Sequence, residues 1–191
     1  AAMKEYHRGR IDCFVTPHEG LAHTWRGQGI RAHLIELAVE ADRLPRPTFK
    51  HRPLTPQIGI LGSGQPWKNM ECQILAAQRI PNATIHIQHP PRYMTLPSNV
   101  VVHPDRTDSA YYALVESMSI NLSVSMSETY SFLTAESMLM GVPVLTSHLT
   151  PILRYLDNHD LLAVCRTAWF DNPVDIASSI KDILIGYERL D

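Results

Sequence analysis

The sequence predicts an α/β fold: a Rossmann-like, mainly parallel sheet with helices on both faces. Two observations carry this. From Gln57 onward, short apolar stretches of strand length alternate with stretches of helical spacing, the pattern of right-handed βαβ units. The chain of 191 residues, 45% of them apolar, is also long enough for one α/β domain with a real core and short for two.

In order, Ile11 to Thr16 is an expected strand that Pro17 ends, residues 19–28 an expected helix stopped by Gly29, and His33 to Val39 a second apolar stretch. Pro45, Pro47, Pro53 and Pro56 mark a linker, which divides the chain into a leading segment, 1–50, and a domain, 51–191. In that domain strands are expected at Gln57 to Leu61, Ala83 to Gln88, Asn99 to His103, Ile120 to Ser125, Val142 to Thr146 and Leu161 to Cys165. Helices are expected at Lys68 to Arg79, Ser109 to Ser117, residues 130–140 and Val174 to Tyr187. Ligands of open parallel sheets bind beyond the carboxyl ends of the strands, so the loops after Leu61, Gln88, His103, Ser125 and Thr146 should carry the chemistry.

A formal charge of −2 argues against a nucleic-acid partner or an anionic-membrane surface. Cys13, Cys72 and Cys165 are odd in number and widely spaced, which disfavours a disulfide framework or a zinc site and fits a reducing compartment. No apolar run approaches the ~20 residues that span a bilayer, and the N-terminus lacks an apolar signal-peptide core.

The richest stretch runs from Ser125 to Val144. It sets two carboxylates, Glu128 and Glu136, eight residues apart across a strand-to-helix turn. The amides of Thr129, Tyr130, Ser131 and Phe132 lie at the helix start, where unpaired N–H groups and a positive dipole end of about 0.5 charge suit a diphosphate. Carboxylates suit sugar or ribose hydroxyls, since charge-assisted hydrogen bonds contribute roughly 1.5–3 kcal/mol each.

Glu128, Tyr130, Glu136, Met138, Gly141, Pro143 and Val144 resemble the E-x7-E signature of family-four glycosyltransferases, which have the GT-B fold. The resemblance implies that Glu136 binds the nucleotide ribose, that Glu128 lies against the transferred sugar as the catalytic carboxylate, and that the loop amides face sugar and phosphate. Ser131 replaces the usual glycine and Ser137 the usual alanine. Ile58 to Asn69 resembles the family's phosphate loop: Gly62 forms the turn, Lys68 matches the phosphate lysine, and Ser63 stands where an arginine is usual, with Arg92 or Arg106 available to compensate. Asp12 to Leu44 loosely resembles the family's crossover from its acceptor domain. His103 follows the strand whose loop holds the base, implying a largely backbone contact there.

Other groups have blander readings. His86 and His89 are three apart at a strand end and face opposite sides, so a metal pair is not expected. Trp25, Trp67 and Trp169 read as packing, and Ser147-His148 lacks a nucleophile elbow.

The resemblance therefore implies one lobe of a GT-B enzyme, with 1–50 a crossover from a missing acceptor domain and 51–191 the nucleotide-sugar-binding domain. Its implied activity is retaining transfer from a nucleotide-diphosphate sugar to a glycan or lipid-linked glycan, as in polysaccharide biosynthesis. No cofactor or metal is implied. The implied partner is an N-terminal acceptor domain of the same polypeptide, without which the fragment is inactive, and the implied location is cytoplasmic, peripheral at a membrane in the full-length protein. The alternative is a non-catalytic nucleotide- or partner-binding module of the same fold, for which the loss of arginine at Ser63 speaks. A dehydrogenase lobe is disfavoured, since no G-x-G-x-x-G opens a helix after the first strand.

Overall fold

The computed structural model describes residues 2–35, 37–46, 55–155 and 165–187. The chain divides into two compact units, 1–38 and 39–191.

The first unit holds α1 (Ala2–His7), β1 (Phe14–Thr16), α2 (Glu19–Gly27) and β2 (Ala32–Leu34). β1 and β2 pair in parallel around the α2 crossover. The His18 Nδ1 accepts the Leu21 N–H at 3.2 Å and caps α2, while Gly29, at φ 74°, supplies the left-handed turn after it. Phe14 packs on Tyr6 and on Trp25, with ring centroids 5.4 and 5.0 Å apart, so Trp25 is a packing residue as its composition suggested.

The two units divide after Ala38. The short 3₁₀ turn Ala41–Arg43 goes with the larger unit, because Leu44 packs into its core and the Arg43 guanidinium reaches Asp108 at 3.8 Å. Of the linker prolines, Pro47 and Pro53 lie outside the described residues.

The larger unit is built on β3 (Gln57–Ile60), β4 (Thr84–Ile87), β5 (Val100–Val102), β6 (Ile120–Ser123), β7 (Val144–Ser147) and β8 (Cys165–Ala168). All pair in parallel, in the order β5-β4-β3-β6-β7-β8. The chain thus starts at mid-sheet, walks to one edge, returns and walks to the other, which is Rossmann order with a switch point between β3 and β6. The expected strand Leu161 to Cys165 meets the described residues only at Cys165. The edge strand instead runs on to Ala168, set by the register Val144↔Cys165 to Ser147↔Ala168.

Helices α3 (Met70–Ala77), α4 (Asp108–Glu116), α5 (Phe132–Leu139) and α6 (Pro173–Tyr187) cover the sheet. On one face the alternate strand residues Ile58, Ile60, Ile85, Ile87, Ile120, Leu122 and Leu145 bury against Ile74 of α3 and Ile176 and Ile180 of α6. On the other, Leu114 and Val115 of α4 and Leu133 of α5 pack with Leu61, Met118, Met140 and Val142. The intervening residues of the central strands on this second face are mostly small or polar, Gly59, Asn121, Ser123 and Thr146, with the apolar Val144 packed on Met138 and Cys165.

The helix expected from Lys68 to Arg79 is broken in two. A 3₁₀ turn, Pro66–Lys68, is separated from α3 by Asn69 at φ 56°, a left-handed residue of the type asparagine tolerates best after glycine.

Gly59 leaves no room for a side chain. An ideal Cβ there would fall 2.2 Å from Asn121 Oδ1 and 2.8 Å from Met118 Cγ, whereas one at Gly62 meets nothing nearer than Lys68 Cδ at 3.8 Å. Gly59→Ala is expected to lower unfolding free energy by about 1–3 kcal/mol or more through overpacking, and Gly62→Ala by well under that, in urea melts of the two variants.

Candidate functional site

A cleft of about 280 Å³ opens at the switch point, between the loop after β3 and the loop after β6. Gly62 and Ser63, in the turn after β3, and Lys68, at the end of the 3₁₀ turn, form one wall. Glu128, Thr129, Tyr130, Ser131 and Phe132, leading into α5, form the other. Eight of the sequence-predicted site residues are therefore brought together.

Lys68 and Glu128 meet across the cleft. Lys68 Nζ donates to Glu128 Oε1 at 2.5 Å, and the Ser125 hydroxyl donates to the same oxygen at 2.8 Å. The Glu128 side chain is only 7% exposed and that of Lys68 23%. These are the only charged side chains lining the cleft among the described residues, so its lining carries no net charge. Neither Arg92 nor Arg106 joins it.

Ser131 caps the start of α5 at φ 74°, in the region that favours glycine. Its hydroxyl does not cap the helix. It turns inward, 2.8 Å from both the Ser123 and Thr134 hydroxyls, so the left-handed residue is tied down by its side chain. The helix begins at Phe132, two residues later than expected.

Glu136 stands elsewhere. It was expected to face a solvated cleft, but it is 7% exposed, outside the cleft lining, and its Oε2 accepts the Tyr111 hydroxyl at 3.1 Å. About one turn into α5, a carboxylate on the inward side meets α4 before it meets the cleft; Tyr111, which does line the cleft, lies against it. Burial pushes the Glu136 carboxyl above the usual range, and Asp108 adds to this, against the opposing Tyr111 bond. Burial and the Glu136 charge push the Tyr111 phenol well up.

His103 is also outside the lining. Its ring is one link in a chain: Arg106 Nη2 lies 3.0 Å from His103 Nδ1, His103 Nε2 lies 2.8 Å from His86 Nδ1, and His86 Nε2 lies 2.7 Å from Gln57 Oε1. A guanidinium only donates, which assigns the protons: His103 Nδ1 accepts, its Nε2–H donates to His86, and His86 Nε2–H donates to Gln57. Both rings are held below the ordinary histidine pKa, chiefly by burial, with Arg106 adding to the effect on His103.

His89 pairs with Asp105 at 3.5 Å and does not join His86. No group of three metal-ligating side chains occurs among the described residues. Ser147 is buried and its hydroxyl accepts the Leu149 N–H, while the His148 ring packs on Trp169, so the two form no nucleophile–base pair. Trp67 and Trp169, expected as packing residues, are 49% and 61% exposed because both sit in loops at the sheet's carboxyl edge. No helix among the described residues is long and apolar enough to cross a membrane.

Three residues of the site had no motif to mark them. Tyr111 lies in an ordinary amphipathic helix, Ser125 at a strand end, and Gln73 within an otherwise apolar helix that it enters as a buried amide. Gln73 alone carried a hint, since an uncharged polar residue on a core-facing helix position needs a partner.

No family model and no curated protein matches the chain. Solved structures do. Sucrose-phosphate synthase from Thermosynechococcus elongatus superposes with a TM-score of 0.73 at 13% identity, over 91% of this chain and 49% of that one. HepE of Anabaena, in complex with UDP-glucose, gives 0.70 at 14% identity over 93% and 55%. TarM gives 0.71 at 16% identity over 93% and 37%. The chain thus spans about half the length of the first of these or less than two thirds of any. At such identities the likeness establishes architecture: the chain has the Rossmann-like, GT-B glycosyltransferase-like fold.

Proposed function

We propose that this chain is the donor-binding lobe of a retaining glycosyltransferase, and that the cleft between Lys68 and Glu128 takes a nucleotide-diphosphate sugar. The observation that carries the reading is the meeting of the Gly62–Ser63 turn, Lys68 and the residues Glu128 to Phe132 at the switch point of the sheet. In this reading Lys68 and the α5 amides hold the diphosphate and stabilise it as it leaves, without a divalent ion. Glu128 faces the transferred sugar. Glu136 serves the ribose, alongside the Tyr111 hydroxyl that already donates to its Oε2. The acceptor, a glycan or lipid-linked glycan, and its binding lobe belong to the remainder of a longer polypeptide. The co-crystallised UDP-glucose of HepE supports a nucleotide sugar as the ligand class.

A second reading, a non-catalytic partner-binding module, is favoured by one observation: the lone cleft lysine is already paired with Glu128, and Ser63 stands where a second cation would be. Titration with UDP-, GDP- and ADP-sugars separates the two. Donor binding moves amides near residues 62–68 and 128–132, and no movement there for any nucleotide sugar rejects it.

Lys68→Met is expected to weaken nucleotide-diphosphate binding by about 10-fold to 100-fold in calorimetry, the loss of one charge-assisted contact. EDTA is expected to leave the wild-type affinity unchanged; an affinity that disappears with EDTA and returns with a divalent ion removes the metal-free reading.

Glu136→Gln is expected to weaken nucleotide binding by about 5-fold or more. Its effect on stability depends on pH. Because burial raises the folded-state carboxyl pKa above that of a free glutamate side chain, the folded protein holds this proton to higher pH than the unfolded chain does. The wild-type stability that depends on it is therefore fully present below that value and is lost as pH rises through the folded pKa. Glu136→Gln lacks this loss, so the stability difference between variant and wild type should move in the variant's favour from acid to neutral pH. A pH-independent difference in urea melts contradicts the buried-carboxyl account.

A further inference from the structure

The cleft's ion pair joins two loops that are sixty residues apart in sequence. Three other contacts join the same loops from below. Gln73, 2% exposed, donates its Nε2–H to the Lys68 carbonyl at 2.7 Å, and its Oε1 accepts the Val124 N–H at 3.0 Å. Asn69, 5% exposed, donates its Nδ2–H to the carbonyls of Val124 at 3.2 Å and Phe170 at 2.5 Å. The Met126 N–H donates to the Trp67 carbonyl at 2.8 Å.

We infer that Gln73 and Asn69 are positioning residues: a side-chain staple that fixes the loop of Lys68 against the loop of Glu128 and so sets the ion pair in the cleft. Chemistry supports this over a role in packing alone. A buried amide in a core helix costs desolvation that an apolar residue of equal volume avoids, and Gln73 recovers it only through backbone groups of the two site-bearing loops. Its neighbours along α3, Met70, Ile74 and Ala77, are apolar and buried in the core. Asn69 adds the left-handed φ of 56° that turns the chain between Lys68 and α3, and its amide ties a third loop, the one after β8, to the same point. The staple thus joins the exits of β3, β6 and β8 at the cleft floor.

The inference takes from the proposed function only the importance of the Lys68–Glu128 pair. Its test needs no ligand, so failure of nucleotide binding and failure of the staple are seen separately. The experiment is a double-mutant cycle of Lys68→Met and Glu128→Gln, read from urea unfolding, in the native background and again with Gln73→Met and with Asn69→Gly. Methionine keeps Gln73's volume without its hydrogen bonds; glycine keeps the left-handed backbone at Asn69 without its amide. A purely structural role lowers all four corners of a cycle alike and cancels. With the staple intact, the two substitutions should be non-additive by about 2-fold to 10-fold in the unfolding constant. In either altered background that non-additivity should vanish. If Gln73→Met does not fold, Asn69→Gly carries the comparison. Undiminished non-additivity in the altered backgrounds overturns the proposal and leaves the Trp67–Met126 backbone bond as the stitch. Simple additivity in the native background overturns it as well.

Discussion

A parallel sheet with helices on both faces must bury both sides of every central strand, and here one of those sides is rich in polar residues. Between the sheet and the α4–α5 layer, each buried group has to find its partner inside the protein. Asn121 Nδ2 donates to the Val115 carbonyl and to the Ser137 hydroxyl, which itself bonds the Leu133 carbonyl. The hydroxyls of Ser123, Ser131 and Thr134 form a continuous chain, and Thr146 joins Thr150 to the Ser123 carbonyl. Only Asn121 Oδ1 is left over among the described residues, aimed at the bare Cα of Gly59. The network holds α5 at a fixed height over β6 and β7, and the cleft wall is the start of α5.

The two departures from the glycosyltransferase signature have a common cause in this layer. Ser137, where alanine is usual, answers Asn121; Ser131, where glycine is usual, is held in its left-handed conformation by Ser123 and Thr134. A serine at φ 74° is strained on its own, and two buried hydrogen bonds offset that strain.

The strand-and-helix alternation and the positions of the switch-point loops were legible because they rest on local periodicity. Lys68 and Glu128 were legible one at a time, each from its place at the end of a strand. Their pairing was not, because nothing in either loop encodes the other. Nor does the alternation Ile120 to Ser125 say which partners its polar residues meet, though Asn121 and Ser123 are buried along with Ile120 and Leu122. For the same reason Glu136, expected at the ribose, could not be placed under Tyr111, nor His103, expected after its strand, in a chain with His86 and Gln57.

The ion pair also sets the terms on which the cleft accepts a ligand. Among the described residues Lys68 is the one cation in the lining, and Glu128 already holds it. A phosphate that takes Lys68 leaves behind a carboxylate whose side chain is 7% exposed and which keeps the Ser125 hydroxyl as a donor. A buried charge stripped of its partner is costly, and two anions side by side raise that cost. A nucleoside diphosphate alone imposes both. A nucleotide sugar does not, provided its hydroxyls reach Glu128, since they replace the ammonium as donors at the moment the phosphate removes it. In the donor-binding reading, therefore, sugar and phosphate are not recognised independently: the bond that Glu128 gives up to one end of the ligand must be returned by the other.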